Sequence, residues 1–214
     1  MTALSFTTEA RQGDARAPGS LARILRSKKL SETFACAEQI HGSGVRVVPK
    51  LTASKKYLRA DGLLTAEANQ PLAIYTADCV PIFMSADQDR VVGILHAGWR
   101  GTRSGILKNA VRILRRKWGI AAKAVRIWLG PSIGPCCFEV KWDVASHFPV
   151  SRRRIKDRWN IDLIKELRAQ AQQLGVKMVR SKSDPRCTMH NEQFHSYRRN
   201  QTAHRLASVI MKNS

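Results

Sequence analysis

Val91-Val92-Gly93-Ile94-Leu95 is an unbroken apolar run that stops abruptly at His96-Ala97-Gly98-Trp99-Arg100-Gly101. A run this short, closed by a glycine turn, reads as a strand covered on both faces, because a strand with one wet face alternates apolar and polar residues. Leu72 to Thr76 and Val80 to Met84 are similar runs, separated by Ala77-Asp78-Cys79. Val45-Arg46-Val47-Val48 closes at Pro49, and Val125, Ile127 and Leu129 mark a further strand. Strands covered on both faces need layers above and below them. Two segments can supply such layers. Ile106, Ala110, Ile113, Leu114 and Trp118 recur at helical spacing, with Gly119 suited to the C-terminal end. Ile161, Ile164, Leu167, Ala171 and Leu174 form a second stripe, with Asn160 as expected N-cap and Gly175 as its end. Val176 to Val179 reads as a strand and His204 to Met211 as a last helix. The expectation is one α/β domain (α+β in another scheme) over residues 1–214, a mixed sheet with flanking helices. Residues 1–35 are the least legible part.

Charge is the next constraint. The 214 residues carry 37 Lys+Arg against 16 Asp+Glu, a formal +21. Such a surface attracts polyanions and small anionic substrates alike, so nucleic-acid binding is one reading. The basic residues are spread along the chain, however, with one dense run at Arg152-Arg153-Arg154-Ile155-Lys156. Aromatics make up only 7%, and no stacking-aromatic module of an RNA reader is visible. A solvated basic surface accounts for the charge equally well. No stretch approaches the ~18 consecutive apolar residues of a membrane span, so no membrane partner is expected. The first residues lack the apolar core of a secretory signal. Arg11, Arg16, Arg23 and Arg26 echo a transit peptide, against which Glu9 and Asp14 stand. Cys36, Cys79, Cys136, Cys137 and Cys187 are odd in number and form no disulfide framework, which points to a reducing compartment, the cytoplasm.

Three segments set reactive groups where a strand meets a loop: Gln39-Ile40-His41-Gly42, Thr76-Ala77-Asp78-Cys79, and the turn that begins at His96. Side chains at strand ends are placed by rigid scaffold yet left accessible. Two histidines and one cysteine make a donor set that Zn²⁺ accepts, and three protein ligands leave a fourth position for water or substrate. The spacing itself carries no motif, and a packing thiol beside two hydrogen-bonded histidines is the ordinary reading. The same atoms allow a metal-free nucleophilic pair, with Cys79 as thiolate, His96 as base, and Asp78 or a carbonyl orienting the imidazole. Copper also takes two His and one Cys. A multicopper oxidase adds a histidine-rich cluster, whereas this chain has six His, and His147, His190, His195 and His204 show no His-x-His pairing.

QIHG at 39–42, TADCVPIF at 76–83, HAGWRGT at 96–102, GPSIGPCCFEV at 130–140 and FHSYRR at 194–199 resemble the laccase-domain family, also called the polyphenol oxidase or purine nucleoside phosphorylase family of zinc proteins. The resemblance spans roughly residues 39 to 205. It implies a fold similar to a cysteine-hydrolase toxin domain and a metal site at His41, Cys79 and His96. It also implies phosphorolysis of adenosine, inosine, guanosine and methylthioadenosine, together with hydrolytic deamination of adenosine. Older names of the family rest on copper-dependent oxidation of phenols, and some members are linked to amidase editing of peptidoglycan precursors.

With purine nucleoside and phosphate as substrates, Arg100 and Arg198 are the expected phosphate clamp, since arginine binds phosphate bidentately. Asp78 is the expected partner orienting His96 or His41. Cys136 and Cys137, adjacent on what reads as extended chain, are expected to point to opposite sides, one of them facing the metal cavity. Cys187 has no evident partner. The chain departs from the family pattern in three places. FHSYRR replaces FFSYRR, and Thr202-Ala203-His204-Arg205 stands where TGR is usual. The stretch before His41 keeps Phe6-Thr7-Thr8 but looks shortened, which bears on the substrate pocket. His195 and His204 are extra imidazoles, read as surface residues.

Overall fold

The computed structural model describes residues 3–57 and 59–214. The first half of the chain runs through β1 (Leu4–Thr7), α1 (Ser20–Ser27), β2 (Ala35–Ala37), β3 (Val45–Val47), β4 (Lys55–Tyr57), β5 (Gly62–Thr65), β6 (Leu72–Thr76), β7 (Val80–Ala86) and β8 (Val91–Ala97). The second half holds α2 (Trp99–Arg103), α3 (Ile106–Trp118), β9 (Val125–Leu129), β10 (Glu139–Val140) and α4 (Trp142–Ala145). Then come β11 (Arg152–Ile155), β12 (Arg158–Ile161), α5 (Leu163–Leu174), β13 (Lys177–Met178), α6 (Tyr197–Asn200) and β14 (Leu206–Met211).

The apolar runs divide between two large mixed sheets, ordered β13-β9-β7-β8-β5-β3 and β1-β14-β6-β2-β4. Because successive side chains point to opposite faces, each central strand feeds two cores. In β8, Val91 and Leu95 pack with Leu107, Leu114 and Leu167 of α3 and α5, while Val92 and Ile94 pack with Leu72, Ile74 and Ile210 of the other sheet. Ala73, Ala207 and Val209 on the far face of that second sheet meet Leu21 and Leu25 of α1. The order is therefore helix, sheet, sheet, helix, and the central strands are apolar throughout because both faces are dry. The mixed α/β expectation holds. The layers are set by pairings distant in sequence, such as Leu4 opposite Met211.

Two expectations change. Residues 206–211 form a buried central strand, β14, between β1 and β6, where a helix was expected. A short apolar run has no decisive period, and this one is claimed by strand partners about its whole length. The second helix starts two residues later than expected. Asp162 is its N-cap, accepting a hydrogen bond from Lys165 N at 2.8 Å. Asn160 sits in β12, and its amide donates to Pro135 O. The segment that was hardest to read carries β1 and the amphipathic α1.

Candidate metal centre

His96 lies near the end of β8, Cys79 immediately precedes β7, and His41 sits in the loop after β2. The two strands are neighbours in register, with Val80 opposite Ala97, so His96 and Cys79 share one end of the sheet. The loop that delivers His41 is held by side chains acting as backbone substitutes. Gln39 accepts from Tyr75 N at 2.8 Å and donates to Tyr75 O at 2.6 Å, docking the loop on β6. His41 itself has φ 59, a left-handed conformation uncommon outside glycine.

The ligand atoms of His41, Cys79 and His96 all lie within 4.8 Å of one another. The two imidazoles meet edge to face at 4.8 Å between centroids. Asp61, just before β5 and fully buried, organises the group. Its Oδ1 pairs with His96 Nδ1 at 2.9 Å, and its Oδ2 accepts from Gly42 N at 2.8 Å and Ile40 N at 3.4 Å. One carboxylate thus fixes the His96 ring and the His41 loop together, leaving His96 Nε2 for the centre. Burial pushes the Asp61 carboxyl up, but His96 and the two backbone N–H groups hold it below the usual carboxylate range.

Burial likewise pushes the Cys79 thiol up, yet the charge of His96 and hydrogen bonds from both histidines bring it down to about 6. Burial lowers His96, and the Cys79 and Asp61 charges more than offset this, raising it to about 9. Without metal, the pair is a thiolate facing an imidazolium. Chelator-stripped protein is therefore expected to alkylate at Cys79 with a rate rising through about pH 6, since the thiolate is the nucleophile. Peptide mapping after iodoacetamide treatment checks this. A midpoint near that of a free thiol, pKa about 8.5, would contradict it.

Close approach of the β8–α2 turn depends on glycine. A Cβ on Gly101 would fall 2.7 Å from Gly42 O, and one on Gly98 would fall 3.0 Å from Cys79 Sγ. Gly101→Ala is expected to displace the His41 loop and weaken metal retention, read as a raised dissociation constant in a chelator competition.

The three donors line a cavity of about 730 Å³. Arg16, Lys56, Arg100, Arg198 and Arg205 supply cationic walls, and Tyr75, Phe138 and Tyr197 supply aromatic ones. Arg100 stacks over Trp99 at 4.4 Å. Arg198 donates to Cys137 O and Glu139 O, each at 3.0 Å, and packs over Phe138. Asp78 lines the cavity but orients neither histidine. Its carboxylate accepts from Thr188 Oγ1 and Arg198 N, each at 2.7 Å, and the orienting part falls to Asp61. Asp78 is thus a tether for the wall bearing Arg198.

The family model described as multi-copper polyphenol oxidoreductase laccase matches residues 5–213. The chain belongs to that family. Purine nucleoside phosphorylase YlmD of Geobacillus stearothermophilus is 34% identical over 197 residues, which cover 84% of this chain and 72% of that protein. A purine nucleoside phosphorylase of Haemophilus influenzae is 31% identical over 220 residues, covering 97% and 86%. The crystal structure of YlmD from G. stearothermophilus superposes with a TM-score of 0.87 at 29% identity, over 99% of this chain and 92% of that one.

Within this laccase-family chain, sequence reading missed Asp61, Arg16 and Arg205. The acid before the apolar Gly62-Leu63-Leu64 was the available signal for Asp61. Cys136 and Cys137 depart from expectation, since neither lines the cavity. They occupy a turn closed by Cys137 N and Phe138 N on Gly134 O, not extended chain, so both thiols come to the same side, beside His190. His195 and His204 pair with each other at 5.3 Å, outside the cavity lining. No helix among the described residues is long and apolar enough to cross a membrane.

Proposed function

We propose that this chain, acting as one domain, is a zinc-dependent purine nucleoside phosphorylase with adenosine deaminase activity. The carrying observation is the convergence of His41, Cys79 and His96 on a cavity with arginine and aromatic walls. Relatives named purine nucleoside phosphorylase support the same reading. The donor chemistry fits the metal: one sulfur, two nitrogens, and a buried carboxylate behind one histidine. Held by these three, Zn²⁺ would supply Lewis-acid charge beside the substrate. Copper is the less favoured occupant.

The chain's own residues account for the remaining requirements. Arg100 and Arg198 bind and orient phosphate, with Arg16 and Arg205 adding to the positive field that draws it in. Arg198 has N–H groups to spare beyond its two carbonyl bonds, because guanidinium carries five donors. In phosphorolysis a phosphate oxygen bonds to the anomeric carbon while the glycosidic C–N bond breaks and the base leaves with a proton. The guanidinium groups hold the phosphate in line as positive charge builds on the ribose. Tyr75, Phe138 and Tyr197 offer faces for the purine. In deamination, water oxygen replaces the amino group at C6 and ammonia leaves. Cys79 and His96 hold the metal at the reacting centre, and Asp78 keeps Arg198 in place. The five thiols, all free, fit a reducing compartment, and the cytoplasm is the proposed location.

The test is product analysis of metal-loaded protein given adenosine, inosine, guanosine or methylthioadenosine. Phosphate-dependent release of free base supports phosphorolysis, and phosphate-independent ammonia from adenosine supports deamination. Neither product from any of the four would overturn the reading. The thiolate–imidazolium pair favours a second reading, a metal-independent Cys79–His96 hydrolase or amidase. Turnover of an amide substrate that survives chelation but not alkylation of Cys79 would select it.

A further inference from the structure

A second group of soft donors stands outside the cavity, unused by the chemistry above. Cys136 and Cys137 lie in the turn after Gly134, and Cys187 and His190 lie in a turn ahead of α6. One ligand atom from each falls within 4.8 Å of all the others. His190 Nδ1 is 3.7 Å from Cys136 Sγ and 4.0 Å from Cys137 Sγ. The Cys136 thiol is also in hydrogen-bond contact with those of Cys137 and Cys187. A tetrahedral Zn²⁺, with Zn–S about 2.3 Å and Zn–N about 2.0 Å, sets its ligand atoms about 3.6 Å apart for S···N and about 3.8 Å for S···S. Cys137 Sγ also lies 3.2 Å from His190 Nε2, and four ligand atoms none of which is more than 4.8 Å from another are close enough for one tetrahedral ion to gather.

We propose that Cys136, Cys137, Cys187 and His190 form a closed, structural Zn²⁺ site, separate from the His41, Cys79 and His96 centre. Two further features suit a thiolate ligand site. Cys187 Sγ accepts from Gly134 N at 3.2 Å and from the backbone N–H groups of Met189 and His190, a nest suited to an anionic sulfur. A Cβ on Gly134 would meet Cys136 Sγ at 3.2 Å and Cys187 Cβ at 3.4 Å, so a glycine there lets the two turns close on each other. Cys187 and His190 stand three residues apart in a single turn, so one short segment presents both side chains to the same point. Four protein ligands leave no open position, which makes the site structural.

Its place in the fold says what it holds. The first turn continues to Phe138 and the second to Tyr197 and Arg198, all lining the large cavity. The two turns already meet through Thr188 N on Ser132 O at 3.0 Å, and Arg198 donates to Cys137 O itself. Metal bound here clamps the wall that carries Arg198. The site does not depend on what fills the first centre.

The experiment is metal analysis and Co²⁺ titration of reduced, full-length protein, with Cys79→Ala used to remove the first centre. About two zinc ions per wild-type chain, and about one in Cys79→Ala, are expected for two independent sites. Cobalt in Cys79→Ala should give tetrahedral d–d bands and intense thiolate charge-transfer absorption, because three sulfurs remain. Both should vanish in Cys79→Ala/Cys136→Ser and in Cys79→Ala/His190→Ala, with circular dichroism confirming that each variant folds. Cys136 and His190 are exposed, so neither change opens the core. A Cys79→Ala protein that folds but binds no metal overturns the site. So does metal binding in Cys79→Ala that survives Cys136→Ser and His190→Ala, or reduced thiols that re-form a disulfide in preference to taking up zinc.

Discussion

Cys79→Ala is expected to lose metal from the first centre and, with it, turnover. His41 from a loop and His96 from the end of β8 remain, and among the described residues the group holds no replacement donor. Metal charge at a reacting centre is worth several kcal/mol, and each 1.4 kcal/mol is a factor of ten in rate. Loss of nucleoside turnover by a factor on the order of 10³ or more follows. The fold should survive, because Cys79 is only half-buried and the strands beside it pair through their backbones. Metal content, circular dichroism and base release measured together decide the matter. Full activity in a folded, metal-free variant would refute the role assigned to Cys79. Cys79→Ser refines the result, since a hydroxyl keeps the size but is a poorer ligand for zinc than thiolate.

Asp61 variants carry the second large effect, and here stability and function separate. Asp61→Asn keeps the shape and an acceptor oxygen but removes the charge that steadies His96. Loss of such a carboxylate behind a metal-binding histidine costs about 10- to 100-fold in metal affinity. Asp61→Ala does more. It strands Gly42 N and Ile40 N, frees the His41 loop, and leaves the His96 ring without its partner in a dry setting. Breaking a buried, hydrogen-bonded ion pair costs about 3–5 kcal/mol, which lowers Tm on the order of 10 °C for a chain of this size. The expected pattern is a near-normal melt with weak metal binding for Asn, and both defects for Ala. Equal melts and equal metal affinities for wild type and Asn would show that Asp61 has no hold on the centre.

Element type was legible where periodicity was long or both faces were dry. The helix at 106–118 announced itself through its apolar stripe and its Gly119 end, and the strands at 80–86 and 91–97 through unbroken apolar runs. The grouping of His41, Cys79 and His96, whose ligand atoms lie within 4.8 Å of one another, was legible because each sits in a compact motif beside a strand. Their neighbours were harder to assign. Asp78 is next to Cys79 in sequence, so it was read as the partner of a histidine, while Asp61, distant from both, holds that place.

Local spacing records how a segment buries its own face, and it is silent about which distant segment comes to meet it. The division of strands into two stacked sheets, the strand at 206–211, and the meeting of Cys187 with Cys136 and Cys137 all depend on contacts between residues far apart in the chain. Those contacts form because burying both faces of β6, β7, β8 and β14 requires two sheets and two helical layers, and only that packing brings the loops together.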